Sequence, residues 1–527
     1  MKYTIFTLLT GLIAALVAPL HAADPAPPNI IVVMADDMGW SDIGCYGGEI
    51  RTPHIDSLAR DGMRFTQFYN NAVCGPTRAS LLTGLYCQQV GHGGDRWNEP
   101  KDFKKCVTIA EVLQSAGYRT MMVGKWQGRD SALDRGFDRF YGPMCQGKVS
   151  YFHEVALNPF FLNRKRWQLP KDFYMTSAFN DHAEGFLKEA VRGESPFFLY
   201  VAHLAPHWPL HAREADVAPY RSQYLERGWD EWRTRRHERQ RKSGIVPAGW
   251  KLSPRPPSVR DWKTDRHKKW QAERMAVYAA QVEAIDRGLG RLLEIVEQSG
   301  TKDNTLVMFL SDNGAAPNGG LTPTDSGFGF GPNAKNDQWR KDGVPIRPGS
   351  RPDLPPGPHD TFAAYGLAWA NVSNTPLRGT KLDGFEGGIN TPMVVRWPAV
   401  IRKGGQITNQ VGHVIDFMAT CLDASGAKYP TDFKGRKPLP LEGKSLLPVF
   451  EGKRRGGHEV LYWSVPRHHV IRMGKWKAIK PKNSKTWKLF DLDADGTETV
   501  DLAQREPDRV QSMAARFDKW QKRVGAK

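Results

Sequence analysis

Two uninterrupted apolar runs in this chain break off into carboxylates. Asn29 to Ala35 (Asn-Ile-Ile-Val-Val-Met-Ala) stops at Asp36-Asp37, and Thr305 to Leu310 (Thr-Leu-Val-Met-Phe-Leu) stops at Ser311-Asp312-Asn313-Gly314. Apolar, β-branched runs without alternation suit strands buried on both faces, so they predict a central parallel sheet. Thr120 to Val123, Phe197 to Ala202 and Met393 to Trp397 predict further strands. Elsewhere the period becomes helical. Met275, Tyr278, Val282, Ile285, Leu289, Leu292 and Ile295 recur at helical spacing from about Trp270 to Gln298, while Glu111 to Ala116 and His413 to Leu422 predict shorter helices. The fold class is α/β, a mixed, mainly parallel sheet flanked by helices.

From about Leu441 the pattern shortens to Val460 to Trp463, His469 to Met473, Trp476 to Ile479 and Trp487 to Asp491, followed by a helix from Asp508 to Val524. This predicts a small antiparallel sheet with one helix. Within it, Asp491-x-Asp493-x-Asp495-Gly496 copies the start of a calcium-binding loop, but the closing Glu position is Leu502, so it is a turn. The expected organisation is a large domain over 24–440 and a C-terminal subdomain over 441–527.

Met1-Lys2, an apolar or small run from Ile5 to Leu20, and His21-Ala22-Ala23 read as a secretory signal over 1–22. The run is short for a membrane anchor and no other stretch is long enough, so the mature protein is expected to be periplasmic or secreted, without membrane attachment after cleavage. A hydrophobic content of 40% with 51 Gly and 37 Pro fits a loop-rich globular enzyme. The six cysteines include no Cys-x-x-Cys pair, which argues against a cysteine zinc site.

The formal net charge of +18 points to anionic partners. Its densest tract, Arg233 to Lys242, reads first as a solvated helix face, within a basic, tryptophan-rich insertion from Arg213 to Lys269. For an exported protein a sulfated or carboxylated polymer is a better target than nucleic acid, and the tryptophans tilt this toward carbohydrate.

The candidate chemistry gathers at strand ends, where open α/β sheets bind ligands. Asp36, Asp37, Asp312 and Asn313 offer three carboxylates and an amide, a set that suits Ca²⁺ or Mg²⁺ better than zinc. Phe197 to Ala202 leads into His203, His207 and His211, spaced like a helical zinc motif, but Pro206 and Pro209 exclude that helix. His207 at a strand end is a candidate acid or base. In Val-Cys-Gly-Pro-Thr-Arg-Ala-Ser-Leu, residues 73–81, Pro76 is expected to leave Cys74 in an irregular turn, with a helix beginning at Arg78. A nucleophile there would lie by a helix N-terminus and a guanidinium. By itself, the pattern reads first as a buried cysteine ahead of a helix.

Together these residues resemble the sulfatase family. The matches, in order, are Asp36-Asp37 with Gly39-Trp40, Cys74-Gly75-Pro76-Thr77-Arg78 with Leu81-Leu82-Thr83-Gly84, Gly124-Lys125-Trp126, Pro206-His207-Trp208-Pro209, Ser311-Asp312-Asn313-Gly314, and Lys381 ahead of Glu386-Gly387-Gly388. Asn371-Val372-Ser373-Asn374-Thr375-Pro376 and Trp487-Lys488-Leu489-Phe490-Asp491-Leu492 look most like the bacterial arylsulfatase branch. The resemblance implies an alkaline-phosphatase-like fold, oxidation of Cys74 to formylglycine (3-oxoalanine) by a separate maturase, and one Ca²⁺ on Asp36, Asp37, Asp312, Asn313 and the residue at Cys74. It also implies that Arg78 stabilises the formylglycine hydrate, that Lys125 and Lys381 neutralise the sulfuryl group, and that His207, with Lys381, protonates the departing oxygen. The substrates would be sulfate esters of small molecules or glycans.

One position departs from that pattern. Where the family usually has Lys-x-His, this chain has Lys125-Trp126-Gln127, and glutamine takes no proton at neutral pH. The expectation is an altered release of sulfate: another group serves as base, His92 first among them, or turnover is slow, or the substrate pocket is rebuilt. Two other readings stay open: a phosphate or phosphonate ester hydrolase using the same site, and a degraded relative that binds sulfated glycans.

Overall fold

The apolar runs become neighbouring strands whose register assembles the site. The computed structural model describes residues 26–91, 103, 105–144, 149–155, 158–318 and 347–526, so the expected signal segment and His92 lie outside the described residues. Ten strands form the main sheet, in the order Gln406–Thr408, Met63–Phe65, Met393–Arg396, Thr305–Ser311, Asn29–Ala35, Phe197–Ala202, Arg119–Gly124, Arg139–Pro143, Phe160–Leu162 and Lys165–Arg166. The five from Thr305–Ser311 to Arg139–Pro143 are parallel, and antiparallel strands flank them on both sides.

Ala35 pairs with Ser311, Met34 with Ala202, and Ala202 with Gly124. Four strands therefore end level, and the residues that follow, Asp36, Asp312, His203 and Lys125, emerge along one edge. Side chains alternate between two cores: Ile31, Val33 and Ala35 enter one, Ile30, Val32 and Met34 the other. Burying a large aliphatic side chain in this way is worth about 1.5–3 kcal/mol, which holds the edge rigid. The helices Pro53–Asp61, Met175–Ala190 and Lys268–Gln298 cover the first face, and Cys74–Thr83, Ile109–Ser115 and Asp416–Ser425 the second.

A separate antiparallel sheet runs Val460–Ser464, His468–Met473, Trp476–Pro481, Lys488–Asp491, with the helix Pro507–Val524 packing Met513, Phe517 and Trp520 onto it. The Asp495 carboxylate accepts from the backbone N–H of Thr499 at 2.6 Å and Val500 at 2.8 Å, so that acidic stretch closes its own turn. Among the described residues no helix is long and apolar enough to cross a membrane.

Two expectations need correction. The helix expected from His413 begins at Asp416, because His413 instead pairs with Tyr69 in a short parallel bridge. The basic tract is a solvated face on one side only, with Arg235, Arg241 and Lys242 exposed. Arg233 and Arg236 of the helix Arg221–Ser243 are buried, the latter completely, and the insertion's Trp229, Trp232 and Trp262 belong to the first core. Trp229 meets Trp262 edge-on at 4.7 Å between ring centroids. These aromatics fill the interior, which removes the argument that they form a carbohydrate platform.

Candidate active site

Cys74 is the first residue of the helix Cys74–Thr83, with Val73 as its extended N-cap. The expected irregular turn is thus corrected by one helical turn. Pro76 sits within that first turn, where a residue without N–H loses no helical bond and its fixed φ suits the helix. Asn71 clamps the start of the helix: its side-chain amide donates to Ser80 Oγ at 2.9 Å and to the Pro76 carbonyl at 3.2 Å, and its backbone N–H donates to Thr77 Oγ1 at 2.9 Å. Ala72, at φ 58°, turns its carbonyl toward the N–H of Leu382 at 3.0 Å, which ties the Cys74 turn to the Lys381 loop.

One turn along the helix, the buried Arg78 reaches across the sheet edge. Its Nε and Nη2 lie 2.8 and 2.7 Å from Asp312 Oδ2, and Nη2 also donates to the His203 carbonyl at 3.2 Å. Lys125 Nζ is 2.5 Å from Asp36 Oδ2, and Lys381 Nζ is 2.5 Å from Asp37 Oδ1. Asn313 Nδ2 donates to Asp37 Oδ1 at 2.8 Å. His207 Nε2 is 3.5 Å from Asp37 Oδ2, while its Nδ1 is 2.6 Å from the Trp208 carbonyl. A carbonyl only accepts, so Nδ1 holds the proton and Nε2 faces the site.

Ligating atoms of Asp36, Asp37 and His207, and of Asp36, Cys74 and Asp312, form two groups that each lie within 4.8 Å. The donor set supports a cation there. Asp36 Oδ1, Asp37 Oδ2 and Asn313 Oδ1 are buried and accept no hydrogen bond. Leaving such oxygens unsatisfied is expensive, and a hard, oxygen-preferring divalent ion removes the penalty. Three carboxylates already face three fixed cations, Arg78, Lys125 and Lys381. A divalent ion would leave the site net positive, which suits an anionic ester.

The protonation states follow the same layout. Burial pushes up the carboxyl of Asp312, and the charge of Asp36 adds to that, against Arg78 and Lys125. For Asp36 burial has the same sense, but Lys125, His207 and Arg78 outweigh it and hold the group below the usual carboxylate range. Burial lowers His207, against the pull of Asp37 and Asp36. Burial would also lower Lys381, but Asp37 outweighs it and keeps the ammonium above its ordinary value.

Gln127 Nε2 donates to Cys74 Sγ at 3.7 Å, and its Oε1 is buried without a donor. The chain thus brings together Asp36, Asp37, Cys74, Arg78, Lys125, Gln127, His207, Asp312, Asn313 and Lys381. Glu386 stands apart, bound to Lys477 at 2.7 Å, but its neighbour Gly387 packs so tightly on Gly314 that a Cβ there would sit 1.8 Å from the Gly387 carbonyl oxygen. The three spaced histidines do not form one site: no helix spans 203–211, and His211 Nε2 binds the Thr361 carbonyl. Sequence periodicity missed Tyr200, whose hydroxyl is 3.5 Å from Arg78 Nη1, because an inner-strand tyrosine reads simply as apolar.

Comparison with known proteins points to one family. The family model described as Sulfatase matches residues 28–427, and that of the N-sulphoglucosamine sulphohydrolase C-terminal region matches 383–523. An arylsulfatase of Klebsiella aerogenes is 33% identical over 465 residues, covering 82% of this chain and 94% of that protein. An N-acetylgalactosamine-6-sulfatase of Rattus norvegicus is 26% identical, covering 90% of this chain and 76% of that protein. Among solved structures, Ps i-CgsB in complex with k-i-k-neocarrahexaose superposes with a TM-score of 0.67 at 24% identity, over 94% of this chain and 92% of that one.

Proposed function

The chain belongs to the sulfatase family, and on that premise we propose that it is an exported hydrolase of sulfated carbohydrate esters that uses a formylglycine made from Cys74 and one Ca²⁺. The observation that carries this reading is the trio of unsatisfied oxygens, Asp36 Oδ1, Asp37 Oδ2 and Asn313 Oδ1, joined through Asp36 to the half-buried Cys74 and to Asp312, whose ligating atoms lie within 4.8 Å of its own. Asp36, Asp37, Asp312 and Asn313 would hold the ion. When bound, Ca²⁺ supplies Lewis acidity, and the maturase-generated aldehyde supplies, as its hydrate, an oxygen nucleophile and a second hydroxyl for releasing sulfate.

The chain's own residues do the rest. Arg78, fixed by Asp312, places a guanidinium beside the residue at 74 and favours a charged oxygen there. Lys125 and Lys381 offer positive charge to the non-bridging sulfate oxygens. His207, held by its Nδ1–H to the Trp208 carbonyl, presents Nε2 to the site; once Nε2 is also protonated, the imidazolium gives its Nε2 proton to the departing sugar oxygen and keeps Nδ1–H on the carbonyl. Gln127 donates a hydrogen bond toward position 74 but takes no proton, so release of sulfate limits turnover. Carbohydrate as substrate rests on the names of the relatives, and export on the apolar segment after Lys2.

The test is sulfate release from nitrophenyl sulfate and from a panel of sulfated oligosaccharides, beside phosphate release from nitrophenyl phosphate, by protein co-produced with a formylglycine-generating maturase. Sulfate release from at least one sulfated sugar, faster than phosphate release, is expected. Preference for the phosphate ester would contradict the proposal.

A further inference from the structure

We infer that Arg236, Asp42 and Tyr278 form a buried strut that positions the metal-binding turn, and that the basic insertion exists in part to supply Arg236. The inference rests on the proposed Ca²⁺ site. It gives a role to a basic tract that sugar recognition leaves unexplained.

The turn needs a support. Asp37 has φ 68°, a left-handed conformation that a non-glycine residue adopts only when its surroundings impose it. Its neighbours are fixed from behind. The N–H of Gly39 donates to Asp42 Oδ2 at 2.8 Å, and the Tyr278 hydroxyl donates to the same oxygen at 2.7 Å. That hydroxyl also lies 3.5 Å from the Asp37 carbonyl. Tyr278 is held flat by Tyr365, stacked at 4.3 Å with 10° between the rings. Gly39 leaves no room for adjustment: a Cβ there would lie 2.4 Å from Ser373.

Arg236 completes the strut. Its side chain is fully buried, and its Nη1 reaches Asp42 Oδ1 at 2.7 Å and Ser41 Oγ at 3.0 Å. The other edge of the guanidinium grips Glu49, Nε to Oε2 at 2.8 Å and Nη2 to Oε1 at 2.7 Å. A planar fork held by two carboxylates fixes Asp42 in angle as well as in distance, which an ammonium would not do. The chain of contact runs from Arg236 through Asp42 to the Gly39 N–H, and through Tyr278 to the Asp37 carbonyl. None of these three side chains touches the ligating oxygens. They are positioning residues, of the kind that tunes metal affinity from behind the ligands.

The experiment titrates metal-stripped protein with Ca²⁺ by calorimetry, well below the melting temperature. Wild-type protein is expected to bind one Ca²⁺, and Tyr278→Phe and Arg236→Lys about 10–100-fold more weakly, the usual effect of losing such a partner. Arg235→Ala, on the exposed side of the same helix, is expected to bind like wild type. Tyr278→Phe removes a single oxygen and keeps the fold testable even if Arg236→Lys does not accumulate. Unchanged Ca²⁺ affinity in Tyr278→Phe, whatever its melting temperature, would overturn the inference. Failure of the wild type to bind Ca²⁺ would instead sink the metal reading on which it rests.

Discussion

Lys125 Nζ lies 2.5 Å from Asp36 Oδ2, and both side chains are completely buried. They come from the same sheet edge, one after the strand Arg119–Gly124 and the other after Asn29–Ala35, with the strand Phe197–Ala202 between the two. Breaking a buried pair on one side leaves an uncompensated charge and costs about 3–5 kcal/mol. Lys125→Met is therefore expected to melt well below wild type in chelator, and saturating Ca²⁺ should recover much of the loss by neutralising Asp36. Thermal unfolding in both conditions checks this; an equal deficit with and without Ca²⁺ would count against metal binding at Asp36.

Metal removal should act on the wild type too. An ion that binds only the folded state adds about 2.7 kcal/mol at one hundred times its Kd. Chelation should abolish sulfate release and lower the melting temperature, and added Ca²⁺ should restore both.

His207 offers a test by leaving group. Nitrophenolate departs without protonation, whereas a sugar alkoxide needs the imidazolium proton. His207→Gln should therefore lose about 10²–10⁴-fold in kcat on a sulfated sugar and far less on nitrophenyl sulfate. Equal losses on both substrates would remove the acid role.

How far this was legible before the structure depends on where each partner lies in the sequence. The strand Asn29–Ala35 was readable to the residue, because burial on both faces leaves an unbroken apolar run with a polar stop. The cluster followed, since each member stands just past such a stop or in a short local pattern. The start of the Cys74 helix was not, because Pro76 looks like a breaker unless it is known to occupy the first turn. The Arg236–Asp42 pair was also hidden: 194 positions separate the two, and a helix with six basic residues in ten reads as solvated until something buries it. Tyr278 entered the apolar periodicity of its helix correctly, but its hydroxyl had no visible partner.

Buried neutral histidines predict an acid limb of stability. Burial depresses His203, His211 and His413 from 6.5 to about 3. Between those values the unfolded chain binds protons that the folded chain refuses, so stability is fully present above about 6.5 and falls as pH drops toward 3. The melting temperature should decline across this window, before most carboxylates titrate. Constant stability from pH 7 to 5 would contradict the burial of neutral rings.

Gln127→His should restore a proton acceptor beside position 74. Wild type is expected to show a burst of alcohol release followed by slow turnover, and the variant a faster steady state with a smaller burst. Rapid-mix kinetics on nitrophenyl sulfate reads both. A wild type with no burst would mean that another group takes the proton.

The proposed mechanism turns on the chemical state of residue 74, and tandem mass spectrometry of the peptide spanning Cys74 to Arg78 reads it directly. In protein that turns over sulfate esters, an aldehyde is expected at position 74 in the active fraction, and none in Cys74→Ala, which should be inactive. An active preparation in which residue 74 is entirely an unmodified thiol would contradict it.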